Sequence, residues 1–300
     1  MKKLRMKEPK ELGELDLIDD FLFNKMMTTP EISEEFGRQI LKIILQKDFL
    51  KLKVIAQKVY SGDNIGRHGA RLDVYLEEEI ASTDICETDI NDNNISQMKS
   101  SEKSVFDIEP DKNDTAKMVK ALPKRVRFYH SMIDADCLKT GEDYDKLKRV
   151  IVIFITTYDP FGYDYMRYTI KNRCYEIPSM NYDDGAETIF LYTKGKKGIP
   201  SEELRTFLQY MEHSTGENAS NDALQKIHSM VEQVKRSKEV SLEYMKIFER
   251  EQMIFEEGQE AERQNTERER RRADAAEAEV VKLQEEIRKL KGKMEAENRV

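Results

Sequence analysis

Apolar positions recur along this chain in two rhythms, and their order predicts a mixed α/β fold. Residues 17–29, "LIDDFLFNKMMTT", follow a helical rhythm, with Asp19 or Asp20 placed to cap the start and Pro30 to end it. A second helix begins near Ser33, where Phe36, Ile40, Ile43 and Ile44 repeat at helical spacing. The rhythm then shortens to two. "KVIAQKVYS" and "ARLDVYLEEEI" read as strands; in the second, Leu72, Val74 and Leu76 share one face and Arg71, Asp73 and Tyr75 the other. In "SVFDIEPD", residues 104–111, Asp107, Glu109 and Asp111 share a face opposite Phe106, Ile108 and Pro110. Three carboxylates side by side repel one another, so a strand that keeps them implies a compensating partner.

Residues 82–104 show no apolar period and are rich in Asp, Asn and Ser, which reads as a solvated, disordered insertion. The strands on either side, 71–80 and 104–109, are expected to pair as a hairpin with this long connection. From Ala116 to Lys139 the pattern is helical, with Pro123 the residue able to interrupt it, and Val126, Tyr129, His130, Ile133 and Cys137 form one stripe. "RVIVIFITTY", 149–158, is the most hydrophobic stretch and predicts a central strand buried on both faces. "DPFG" at 159–162 signals a turn, and two more strands follow near 166–175 and 187–193. Helices are then expected over 201–212 and 221–250.

The tail changes in kind. Ala273, Ala276, Val280, Leu283, Ile287, Leu290 and Met294 alternate spacings of three and four, the seam of a coiled coil. This marks 273–294 as a homo-oligomer contact; the alternative is a single helix that packs on nothing. The organisation expected is a flexible N-terminus at 1–16, a folded domain at 17–200, a helical subdomain at 201–257 and a charged helix or coiled coil at 258–300.

Composition narrows the function classes. The chain has 300 residues, enough for a substantial core, and 36% of them are charged. No run of about 18 apolar residues exists, which excludes a membrane-spanning helix, and the opening "MKKLRMKEPKELGELD" lacks the apolar stretch of a signal peptide. Cys86, Cys137 and Cys174 are three and widely spaced, which suits a reducing cytoplasm rather than a disulfide framework or a cysteine zinc site. Net charge is −8, so any nucleic-acid contact needs a local basic patch. "LPKRVRFYH" supplies one: Lys124, Arg125 and Arg127 lie among Phe128, Tyr129 and His130.

Several of these stretches together resemble a known family. "DDFLFNKMM", "RLDVYL", "FDIEPD", "LPKRVRFYHSMIDADCLKTGEDYDKLKRVIVIFI" and "DPFG" are similar to the PD-(D/E)XK nucleases described as transposase-like or recombination-promoting nucleases. "NRCYEI", "YDDGAETIFLYTKG" and "YMEHST" extend the resemblance weakly, so it spans about 17–250 without the insertion. The resemblance implies a restriction-endonuclease-like mixed β-sheet flanked by helices and a Mg²⁺- or Mn²⁺-dependent DNA endonuclease acting on double-stranded DNA. It implies Asp73 and Glu109 as carboxylates holding the metal, a chemistry oxygen ligands suit. The family's lysine or glutamine two residues past the glutamate is here Asp111. Asp111 is then a third metal ligand with a cation supplied by Lys112, Lys124 or Arg125, or it marks a degenerate site on a DNA-binding or scaffold protein. Without the resemblance these are surface acids that discourage edge pairing. Asp20 could stand near the site or cap its helix.

Overall fold

In a computed structural model, residues 10–60, 70–78, 103–138 and 140–297 are described. The insertion expected at 82–104 falls almost wholly outside these residues, as does Cys86. The described chain divides into two units: Lys10–Ser241, and a second that holds the terminal helix from Leu242 onward.

The first unit is built on one six-stranded mixed sheet. Its strands are β1 (Leu52–Tyr60), β2 (Ala70–Glu78), β3 (Ser104–Asp111), β4 (Arg149–Thr156), β5 (Arg167–Ile170) and β6 (Ala186–Tyr192). Their order is β1-β2-β3-β4-β6-β5. β1, β2 and β3 run antiparallel in turn, β3, β4 and β6 are parallel, and β5 closes the far edge antiparallel. The expected pairing of the strands at 71–80 and 104–109 is present, and the apolar strand at 149–156 lies between two parallel neighbours with all but its first residue buried. A strand covered on both faces has no use for alternation, which is why β4 reads as a continuous apolar run.

Helices cover both faces. α1 (Asp20–Thr28) and α2 (Ser33–Leu45) lie on the face of Leu76 and Phe106. Gly37 makes the approach of α2 close, because a Cβ there would stand 3.0 Å from Leu76 Cδ2. The opposite face carries α3 (Ala116–Cys137), whose Leu122, Val126 and Ile133 pack with Tyr75, Val105, Val152 and Phe154. Pro123 does not interrupt α3; it sits exposed inside one continuous helix.

The expected flexible start is corrected from residue 10 onward. Leu12 and Leu15 are buried, and Asp16 Oδ1 accepts the Ser214 N–H at 3.0 Å. The helices after 201 also join this unit rather than a separate one. α4 (Glu202–Glu212) packs on α2, and α5 (Asp222–Lys235) packs on α1 and α2. The single helix expected over 221–250 is two: α5 ends at Lys235, and α6 runs Lys238–Glu297. Ser237 Oγ accepts the Val240 N–H at 3.4 Å and so caps the new start. "DPFG" proves to be a self-braced turn: Asp159 accepts the N–H groups of Phe161 and Asp164 at 3.0 and 2.6 Å and the Tyr168 hydroxyl at 2.8 Å. Among the described residues no helix is long and apolar enough to cross a membrane.

Candidate functional site

Strand register sets the site. Tyr75 stands opposite Asp107 and Leu76 opposite Phe106 in the antiparallel β2–β3 pair. The Asp73 N–H donates to Glu109 Oε1 at 2.7 Å, so the residue types singled out on two different strands meet here. On the other side, β4 aligns Val152 with Asp107, Phe154 with Glu109 and Thr156 with Asp111. Period-two alternation places all three acids of β3 on the face that α3 covers.

This face is core, not rim. Asp107, Glu109 and Asp111 are 0%, 4% and 6% exposed, so the reading of these acids as an edge-guarding surface row is corrected. β3 is an interior strand between β2 and β4, with no free edge to guard. Burial, and then the charge of Asp73, pushes the Asp107 carboxyl well above its ordinary range. Burial, then Asp107 and Asp73, does the same to Glu109. Neither Asp107 oxygen accepts a hydrogen bond from a fixed protein donor; a proton shared with Glu109 is the compensation within reach. Asp107 was part of the acid row in the sequence yet carried no assigned role. The signal that would have found it is the D-x-E-x-D alternation itself.

Asp111 is handled separately. Its Oδ2 receives Arg125 Nη2 at 2.6 Å and its Oδ1 the Asn113 N–H at 2.8 Å. The Arg125 guanidinium lies 4.8 Å above the Phe154 ring centre, and its Nε–H has no acceptor. Tyr129, one turn on, is held neutral by burial and by the Glu109 charge. The three cations weighed for this position therefore part company. Arg125 enters the acid cluster. Lys112 pairs with Asp19 at the start of α1, and beside it desolvation raises the Asp20 pKa, with the Lys112 charge opposing and the Asp111 charge adding. Lys124 stays exposed on the outer face of α3.

That outer face has a pattern of its own. Lys117, Lys120, Lys124 and Arg127 are all exposed and spaced three, four and three residues apart. This is one stripe of a helix, about 15 Å long at 1.5 Å per residue. None of the four has an ion-pair partner among the described residues. Arg127 also borders a cleft of about 400 Å³ on the β6 side of α3, with Val126, His130, Phe161 and Thr188. His130 Nε2 meets the Thr188 hydroxyl at 2.9 Å, and burial lowers its pKa, so the ring is a packed, neutral imidazole.

Compared with protein-family models, curated proteins and solved structures, the chain finds no match.

A divalent cation fits these donors in kind. All are carboxylate oxygens, the ligands hard cations prefer, and neither Asp107 oxygen is engaged by a fixed protein donor. Among the described residues no three His, Cys, Asp or Glu side chains converge as a ready-made ligand set. Mg²⁺ is often held by one or two carboxylates plus water and substrate phosphate, so a three-residue cage is not required. Asp111 is engaged by Arg125 and is the least suited of the four acids to serve as a ligand.

Proposed function

We propose that the chain is a divalent-metal-dependent DNA endonuclease with a restriction-endonuclease-like sheet, of the PD-(D/E)XK kind its sequence resembles. The observation that supports this most is the meeting of Asp73 and Glu109 across β2 and β3, with the Arg125–Asp111 pair at the end of the same strand. Asp73 and Glu109 would hold Mg²⁺ or Mn²⁺, with the buried Asp107 carboxyl behind them. Such a metal would supply the Lewis acidity that makes water a better nucleophile and stabilises charge on an attacked phosphate. Arg125 takes the place of the missing lysine: its unpaired Nε–H is a charged donor held beside the carboxylates by Asp111 and Phe154. The stripe Lys117–Lys120–Lys124–Arg127 binds backbone phosphates, a contact that carries no sequence preference of its own.

Incubation with supercoiled plasmid and Mg²⁺ or Mn²⁺ tests this reading. Nicking above an Asp73→Ala control is expected; equal signals from the two proteins would refute catalysis.

One observation favours a second reading. Asp111 neutralises the cation that the reaction needs, which suits a nuclease fold kept for DNA binding or scaffolding without cleavage. Cleavage that disappears in Glu109→Ala eliminates that alternative.

A further inference from the structure

α3 presents its cation stripe and a cleft side by side. A helix turns about 100° per residue, so with Pro123 as zero, Lys117, Lys120 and Lys124 lie at about 120°, 60° and 100°, and Val126 and His130 at about −60° and −20°. Arg127, at about 40°, stands between the two sets. It is the last cation of the stripe and also lines the cleft, and it has no ion-pair partner among the described residues.

The cleft lies between α3 and the β5–β6 edge. Its volume of about 400 Å³ is at the small end of the range for small-molecule sites, about 300–1,000 Å³. Its walls are mainly apolar: Val126 from α3, Phe190 from β6, and Phe161 from the turn after β4, which meets Phe190 edge-on at 5.0 Å. The polar groups among them are the Thr188 hydroxyl and His130, whose Nδ1 is buried without a hydrogen-bond partner. The acids nearby are already engaged. Glu187 pairs with Lys171 at 2.9 Å, and Asp184 accepts Asn172 Nδ2 at 2.8 Å and the Ala186 N–H at 3.1 Å. Arg127 is thus the unengaged charge here, beside an interior suited to a flat, neutral body.

Four unpaired cations in a row fit a polyanion better than a lone carboxylate. A strand whose phosphates follow the stripe reaches Arg127, and the base attached there faces the cleft. A base paired in a duplex cannot enter, whereas an unpaired one leaves the stack at least cost. We propose that the cleft receives one unpaired base of a DNA strand held along α3, so that the preferred ligand is a duplex carrying a bulged nucleotide. Its phosphate meets Arg127, and its base lies among Val126, Phe161 and Phe190. The proposal rests on the reading of the stripe as a DNA contact and not on cleavage.

Fluorescence anisotropy in buffer containing chelator tests it. Three ligands are compared: a perfect duplex, the same duplex with a one-nucleotide bulge, and that bulge made abasic. Wild type is expected to bind the bulged duplex about tenfold tighter than the perfect one, as one stacked base contributes. The abasic bulge should bind no tighter than the perfect duplex, which separates base capture from simple bending of the DNA. Ala186→Leu fills the cleft, and Ile170→Trp, at a half-exposed position on its rim, narrows it. Each should bring the ratio of bulged to perfect affinity close to one. Lys120→Gln should weaken both duplexes alike and keep the ratio. Equal wild-type affinity for bulged and perfect duplexes, an abasic bulge bound as tightly as the intact one, or a ratio preserved in both cleft variants would overturn the inference. Bulge preference in a protein that never cleaves would refute the nuclease reading alone, and cleavage without bulge preference would refute this inference alone.

Discussion

Arg125 reaches from α3 to Asp111 at the end of β3, with Nη2 and Oδ2 2.6 Å apart, and so closes the one gap in the acid cluster. The charge that meets Asp111 comes from the next element of the chain, α3. Both partners are poorly solvated, at 25% and 6% side-chain exposure, so the pair is a structural necessity as well as a chemical one.

Truncating one side of that pair leaves a buried charge alone. Arg125→Ala is expected to destabilise the fold by about 3–5 kcal/mol. Adding Asp111→Ala should recover much of the loss, because the stranded carboxylate is then gone. Urea unfolding of the two single variants and the double variant gives the coupling directly.

Asp107 makes the opposite prediction. Its oxygens are buried without a fixed donor, and an unsatisfied buried polar group costs about 1–3 kcal/mol. Asp107→Leu, which removes both oxygens, should therefore raise the melting temperature in metal-free buffer. Mg²⁺ or Mn²⁺ should raise that of wild type, by up to about 2.7 kcal/mol of stabilisation at a hundredfold excess over Kd, and should leave Glu109→Gln unmoved. Melting curves with and without chelator separate the two effects.

The exposed stripe on α3 predicts a salt signature. Lys120→Gln and Lys124→Gln should each weaken DNA binding by a similar factor on any sequence and lower the slope of log K against log salt by about 1. Filter binding or fluorescence anisotropy over a salt series reads both. A slope unchanged from wild type would place the phosphate contacts elsewhere.

His130 couples stability to pH. Burial lowers its pKa below the ordinary 6.5, with the Asp184 charge opposing. The native ring stays neutral while the unfolded ring protonates, so the unfolded state binds more protons just below 6.5. Stability is full above that value and is lost as pH falls through the lowered native pKa. Thermal melts between pH 5 and 7.5 should show this slope in wild type and a flatter one in His130→Gln.

Much of the sheet was legible because its strands carry one of two clear patterns, alternation or a continuous apolar run. The apolar run 149–156 and the alternation in 104–111 each allow one placement. The depth of the acids was not legible: alternation puts Asp107, Glu109 and Asp111 on one face, but only the helix lying over that face decides that it is core. Lys124 and Arg125 are neighbours in sequence and about 100° apart around α3, so which one turns inward depends on where α3 rests on Phe154. The break between α5 and α6 was hidden for a simpler reason. Arg236 and Lys238 are good helix formers, and Ser237 becomes a cap only where the chain turns.

The most direct measurement is the single-turnover cleavage rate of a linear duplex in Mn²⁺ for wild type, Glu109→Gln and Arg125→Lys. The account predicts metal-dependent cleavage by wild type and a loss of order 10²–10³ in Glu109→Gln, with Arg125→Lys retaining partial activity. No metal-dependent cleavage, or equal rates in wild type and Glu109→Gln, would contradict it.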